Sequence, residues 1–221
     1  MRPIHTALCA GLLIAPAAMA DVTVGVDQSD APWLAFMNVF ELDGTTYAFG
    51  SGWGIADLNA SFDDGAGTLE VSPNTIGDPD PYWYIGGGGP GQAGNKIMEA
   101  NLYQEVTDAF AGQTVTFEGT VLSDTFTSAH TAYVFIKDFA ADYSSFTETK
   151  VAVSGTGAFS ISHVTSGDAG RHVQWGIQTV GVNVWTTDTA PFGSTVFGTV
   201  PTPATAAILG LGGLMATRRR R

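Results

Sequence analysis

What most constrains this chain is the period of its apolar residues. Between residues 21 and 199 no stretch sustains a 3.6-residue apolar repeat, while alternating runs return about every 10 to 20 residues. Thr114–Leu122 (TVTFEGTVL) sets Val115, Phe117 and Val121 on one face, and Thr131–Lys137 (TAYVFIK) is apolar on both, as a central strand would be. Lys150–Val153 and Ala158–Ser162 alternate on either side of the turn residues Ser154-Gly-Thr-Gly157. In His172–Val180 the residues Val173, Trp175 and Ile177 share one face, and Gln174 and Gln178 share the other. Trp33–Leu42 and Thr45–Phe49 flank Asp43-Gly44, a favoured tight-turn dipeptide, and so predict a hairpin.

One segment is ambiguous. Lys96–Val106 (KIMEANLYQEV) has the composition of a helix, but Met98, Ala100 and Leu102 alternate with Ile97, Glu99, Asn101 and Tyr103, and we read it as a strand. Many short strands joined by Gly- and Asp-rich turns predict an all-β fold, an antiparallel β-sandwich. The order of a Gly-rich loop, the strand Met98–Tyr103 and then Gly112-Gln-Thr-Val-Thr-Phe117 resembles the jelly-roll carbohydrate-binding modules of secreted bacterial proteins. The resemblance spans about residues 80–180 and implies a jelly-roll-like sandwich that binds sugar.

The two ends read as addresses. Arg2, the apolar run Ala7–Ala15 and the small-x-small triplet Ala18-Met19-Ala20 have the layout of a signal peptide, making residues 1–20 a signal helix and Asp21 the mature N-terminus. Signal peptidase is the implied partner. At the other end Val200-Pro-Thr-Pro-Ala-Thr205 precedes an apolar stretch, Ala204–Thr217, and the cluster Arg218, Arg219, Arg220 and Arg221. Two prolines end the folded part, because neither continues a strand ladder or a helix. As a short hydrophobic helix the 14 residues would reach about 21 Å, less than the roughly 30 Å of a hydrocarbon core. The arginines would stay on the cytoplasmic side.

This tail resembles the PEP-CTERM sorting signal of exopolysaccharide-producing bacteria, with Pro201, Thr202 and Pro203 at the motif and Thr202 where the family name implies Glu. The resemblance implies transient membrane insertion, processing by an exosortase-type enzyme, and a destination in the envelope, outer surface or extracellular matrix. The chain thus divides into a signal peptide (1–20), one sandwich domain (21–199) and a sorting tail (200–221).

Charge and cysteine narrow the chemistry. The single cysteine, Cys9, lies in the signal, so the domain has neither disulfides nor thiol chemistry. Residues 21–199 hold four basic side chains, Lys96, Lys137, Lys150 and Arg171, against all 21 acidic ones, a net of −17. Such a domain repels nucleic acid and anionic headgroups, and suits divalent cations or neutral polymers.

The chemical motifs are sparse. Gly89–Gly94 satisfies G-x-G-x-x-G literally, but Pro90 stiffens it and a strand follows, so it reads as a glycine loop and not a dinucleotide site. His130, His163 and His172 lack zinc-ligand spacing and read as exposed strand or loop histidines. Glu99 and Glu105 share a strand face but stand about 20 Å apart, too far for a glycosidase pair, which leaves Glu99 with Glu118 or Asp138 as the conceivable pairings. Asp63-Asp64-Gly65 and Asp78-Pro79-Asp80 are oxygen-rich turns of the kind calcium takes, and equally turns in which Asp caps its own backbone.

Aromatics give the remaining lead. Tyr82, Trp83 and Trp185 can stack on the apolar faces of sugar rings, with Asn183, Gln174, Gln178 and Lys137 reading hydroxyls. The expectation is a non-catalytic carbohydrate-binding module outside the cytoplasm. The alternatives are a structural surface or matrix protein without a small ligand, and a secreted glycan hydrolase or lyase.

Overall fold

A computed structural model describes residues 21–200, which form twelve strands and two short 3-10 turns. The expected signal helix and C-terminal helix, the Pro-Thr-Pro motif and the arginine cluster lie outside the described residues. Among the described residues no helix is long and apolar enough to cross a membrane.

Two six-stranded, mostly antiparallel sheets pack together as a β-sandwich. The first runs β3 (Tyr47–Gly52), β2 (Leu34–Phe40), β6 (Ile97–Thr107), β11 (His172–Val182), β8 (His130–Phe139) and β9 (Phe146–Ala152). In the second, β7 (Thr114–Asp124) pairs with β10 (Gly157–Val164) on one side. On its other side it pairs with β1 (Asp21–Val24) and β12 (Thr195–Gly198), which leads on to β5 (Thr68–Val71) and β4 (Ala60–Asp63). The β1–β7 pairing is parallel. The chain changes sheet repeatedly, so consecutive strands such as β9 and β10 belong to opposite layers.

The alternation read from sequence sets the layers. Met98, Ala100 and Leu102 of β6, Val173, Trp175 and Ile177 of β11, and Val115, Phe117 and Val121 of β7 are all buried in one core. Burial of each large aliphatic or aromatic side chain contributes roughly 1.5–3 kcal/mol, which offsets the cost of ordering these strands. The ambiguous segment is therefore a strand, because its even residues find an apolar layer beneath them. Asp43-Gly44 forms the β2–β3 turn, with Gly44 at φ 68°. Hydrogen bonds from the side chain and backbone of Thr46 and the backbone of Thr45 hold the Asp43 carboxyl down at about 2.

His130 departs from its sequence reading. It is only 4% exposed, on the same parity of β8 as buried Ala132, Val134 and Ile136, and packs between Phe126 and Phe192.

Candidate binding site

If even residues of β6 point inward, odd ones point out. Glu99, Asn101, Tyr103 and Glu105 therefore line the outer face of the first sheet, joined by Gln174 and Gln178 of β11 and Lys137 of β8. This face carries a groove of about 750 Å³. One bank is Leu34 and Phe36 of β2 with Tyr47 of β3, and the other is Phe139, Tyr143 and Phe146 around the β8–β9 connection. Leu34 (45%), Tyr47 (56%), Tyr143 (49%) and Phe146 (49%) are half-exposed, so large apolar groups stand in water on both banks.

The floor is a connected polar network. Lys137 Nζ and Gln178 Nε2 both donate to Asn101 Oδ1 at 2.8 Å, and Lys150 Nζ donates to Gln178 Oε1 at 3.1 Å. Asn38 Nδ2 donates to Glu99 Oε1 at 2.9 Å. At the other end of β6, Gln174 Nε2 and the Tyr143 hydroxyl donate to the two oxygens of Glu105, at 2.6 and 2.8 Å. Tyr143 stacks on His172 with ring centroids 4.2 Å apart, and has a left-handed backbone at φ 57°. A bulky residue rarely adopts that conformation; the Glu105 bond and the stacking hold it there.

Burial, and then the bond to Glu105, push the Tyr143 phenol up to about 12. Burial lowers the Lys137 ammonium, against the opposing charges of Glu99 and Glu148. Such a floor offers donors and acceptors already oriented by one another, between aromatic walls, which is the chemistry that reads a polyhydroxylated ring.

The residues expected to bind together fall into two groups. Lys137 and Gln174 line this groove, and Gln178 lies beneath it, fully buried. Tyr82, Trp83, Trp185 and Asn183 lie elsewhere, around the glycine loop. Trp185 packs on Tyr84 at 5.4 Å, and Trp83 makes edge contacts with Tyr82 and Phe49. A Cβ on Gly88 would come within 2.8 Å of the Trp185 ring, so the loop lies directly against it. Asn183 is 1% exposed and clamps backbone, accepting from the Asn95 and Lys96 amides and donating to the Trp83 carbonyl. Trp83 also walls a second cleft of about 650 Å³, with Trp53, Asp57 and Asp78.

The carboxylates do not assemble into a pair. Glu99 faces the groove, Glu118 is exposed on the other sheet, and Asp138 is buried on the inward side of β8, bonded to Arg171 at 2.8 Å. Asp63 and Asp64 form the β4–β5 turn, accepting from the Ala66 amide and from Ser29. Asp78 and Asp80 accept from the amides of Asp80 and Tyr82. Among the described residues no three His, Cys, Asp or Glu side chains converge.

Leu34, Phe36, Asn38, Tyr47, Asn101, Tyr103, Tyr143 and Phe146 were not singled out from the sequence. For Asn101 and Tyr103 the signal is present, since Glu99, Asn101, Tyr103 and Glu105 are polar or amphipathic and alternate with apolar Met98, Ala100 and Leu102. Comparison with protein-family models, with curated proteins and with solved structures finds no match to this chain.

Proposed function

We propose that this protein is an exported, non-catalytic carbohydrate-binding module whose jelly-roll-like sandwich takes glycan in the groove across the outer face of β2, β6, β11 and β8. One observation carries the reading: half-exposed Leu34, Tyr47, Tyr143 and Phe146 flank a floor of mutually bonded amide, carboxylate and ammonium groups. Sugar rings present apolar C–H faces and equatorial hydroxyls, and this combination of walls and floor matches both. The two terminal segments would deliver the module to the envelope or matrix, through signal peptidase and an exosortase-type enzyme.

The test is binding of the purified full chain to a polysaccharide panel, read by calorimetry. Tyr143→Ala and Phe146→Ala each weaken binding about tenfold, the loss of one stacking contact of about 1–1.5 kcal/mol. Trp83→Ala leaves it unchanged. Loss of binding in Trp83→Ala with Tyr143→Ala unaffected would move the site to the glycine-loop aromatics.

A further inference from the structure

The four basic residues of the domain are distributed unevenly. Lys96 is ion-paired with Glu41 at 2.9 Å and Arg171 with Asp138 at 2.8 Å. The other two, Lys137 and Lys150, pair with no carboxylate within 4.0 Å among the described residues. Instead they end on neutral amide oxygens, Asn101 Oδ1 and Gln178 Oε1, in one continuous chain Lys137–Asn101–Gln178–Lys150. In a domain with 21 acidic residues, the two cations left without an ion pair thus face outward on adjoining strands, one lining the groove and one beside it.

Lys137 is 7% exposed, and burying an ammonium on a single neutral acceptor is costly unless an opposite charge joins it. An ammonium has three donors; Asn101 takes one and leaves the others for an occupant of the groove. The rings of Phe135 and Phe146 lie near it, with centroids at 4.6 and 5.7 Å, and the carboxylates of Glu99 and of Glu148, its register partner on β9, act on it from beyond ion-pair distance. The two ammoniums are close enough that Lys150 contributes to lowering Lys137.

We propose that the groove recognises a glycan through a sugar carboxylate seated against Lys137, with Lys150 beside it. The inference rests on the groove being the glycan site. Glu99 and Glu105 limit it in a specific way. Their carboxylates are held by Asn38 and by Gln174 and Tyr143 at either side of the lysine, where they accept hydroxyls and repel a second anion. The preferred polymer therefore carries isolated uronic acids among neutral sugars, not a uronate on every ring. The net charge of −17 also opposes approach of any polyanion, so moderate salt speeds association by screening that repulsion while leaving the buried contact intact.

The experiment is calorimetry and stopped-flow binding of the full chain with three probes. These are gellan oligosaccharides, with one uronate per repeat; oligogalacturonate, with one on every sugar; and neutral laminarin oligosaccharides. The expected result is at least tenfold tighter binding of gellan oligosaccharides than of either other probe, with an association rate that rises with salt. Lys137→Met then lowers gellan affinity roughly 10- to 100-fold, several times more than it lowers affinity for the neutral probe. Lys150→Gln, on an edge strand, lowers it several-fold and serves if Lys137→Met does not fold. Equal affinity for neutral and uronate-bearing probes, with both variants unaffected, overturns the carboxylate assignment and leaves the groove standing. Equal loss for both probes in Lys137→Met also overturns it, making the lysine a hydroxyl donor. Binding of none of the probes, or binding indifferent to Tyr143→Ala, removes the groove reading and this inference with it.

Discussion

Lys137 and Asn101 touch at 2.8 Å although the whole of β11 lies between their strands. Asn101 Oδ1 serves two buried donors, Lys137 and Gln178. The network is thus asymmetric: removing the acceptor strands an ammonium and an amide, whereas removing the ammonium strands nothing. We expect Asn101→Leu to cost about 3 kcal/mol in urea denaturation. Lys137→Met is expected to stay within about 1 kcal/mol of the parent or to exceed it. Equal losses in the two variants would show that the lysine itself stabilises the fold.

The contact passes over Gly176, which register places between Phe135 and Tyr103. A Cβ there would lie 2.1 Å from the Leu102 carbonyl oxygen and 2.7 Å from the Tyr103 Cα, both backbone atoms that cannot swing aside. Gly176→Ala must push β11 away from β6 at the centre of the sheet. We expect a loss of about 3 kcal/mol or more, and weaker glycan binding from the distorted floor. A variant of parental melting temperature would show that the strands yield at little cost.

How much of this was legible in the sequence follows from which interactions are local. Alternation alone places β6, β7 and β11, because each is long enough to show several turns of the pattern, and β8 is legible as a run apolar on both faces. The four-residue strands β1, β4, β5 and β12 are too short to show the pattern; β1, β5 and β12 also depend on partners distant in sequence, as Phe197 does on Val121 and Leu69, while β4 pairs only with its neighbour β5. The same parity that exposed Gln174 and Lys137 to the groove would have placed His130 inward, beside Ala132 and Val134. Tyr143 and Phe146 could not be found, because their position depends on the β8–β9 pairing and on a left-handed residue no local motif announces. Tyr82, Trp83 and Trp185 have the composition of a sugar platform, but Phe49, Tyr84 and the glycine loop supply them with protein neighbours.

Beneath the groove, Asp138 is 1% exposed and accepts from Arg171 Nε at 2.8 Å and from the Ser166 amide at 2.7 Å. Arg171 also donates to the Asp138 carbonyl, tying the start of β11 to the end of β8. Arg171→Ala leaves a buried carboxylate with one amide donor, and breaking such a pair costs about 3–5 kcal/mol. Asp138→Asn with Arg171→Leu together should recover part of that loss. A double variant as unstable as Arg171→Ala alone would place the cost in packing and not in the stranded charge.

His130 is one source of acid sensitivity in the fold. Its Nε2 faces the Val182 carbonyl at 2.9 Å, while Nδ1 is buried without a partner between Phe126 and Phe192. Burial lowers its pKa, the Val182 contact opposing. An unfolded histidine titrates near about 6.5. From there down to its lower native value, the unfolded chain binds a proton that the folded chain refuses, so stability falls as pH falls through this window and is unaffected above it. His163, also lowered by burial, contributes in the same direction. The exposed carboxyl of Asp43, held at about 2, titrates well below this range. Denaturation between pH 7.5 and 5 should therefore show a decline that is shallower in His130→Phe and nearly absent when His163→Gln is added. An undiminished decline in the double variant would assign the acid sensitivity to other groups.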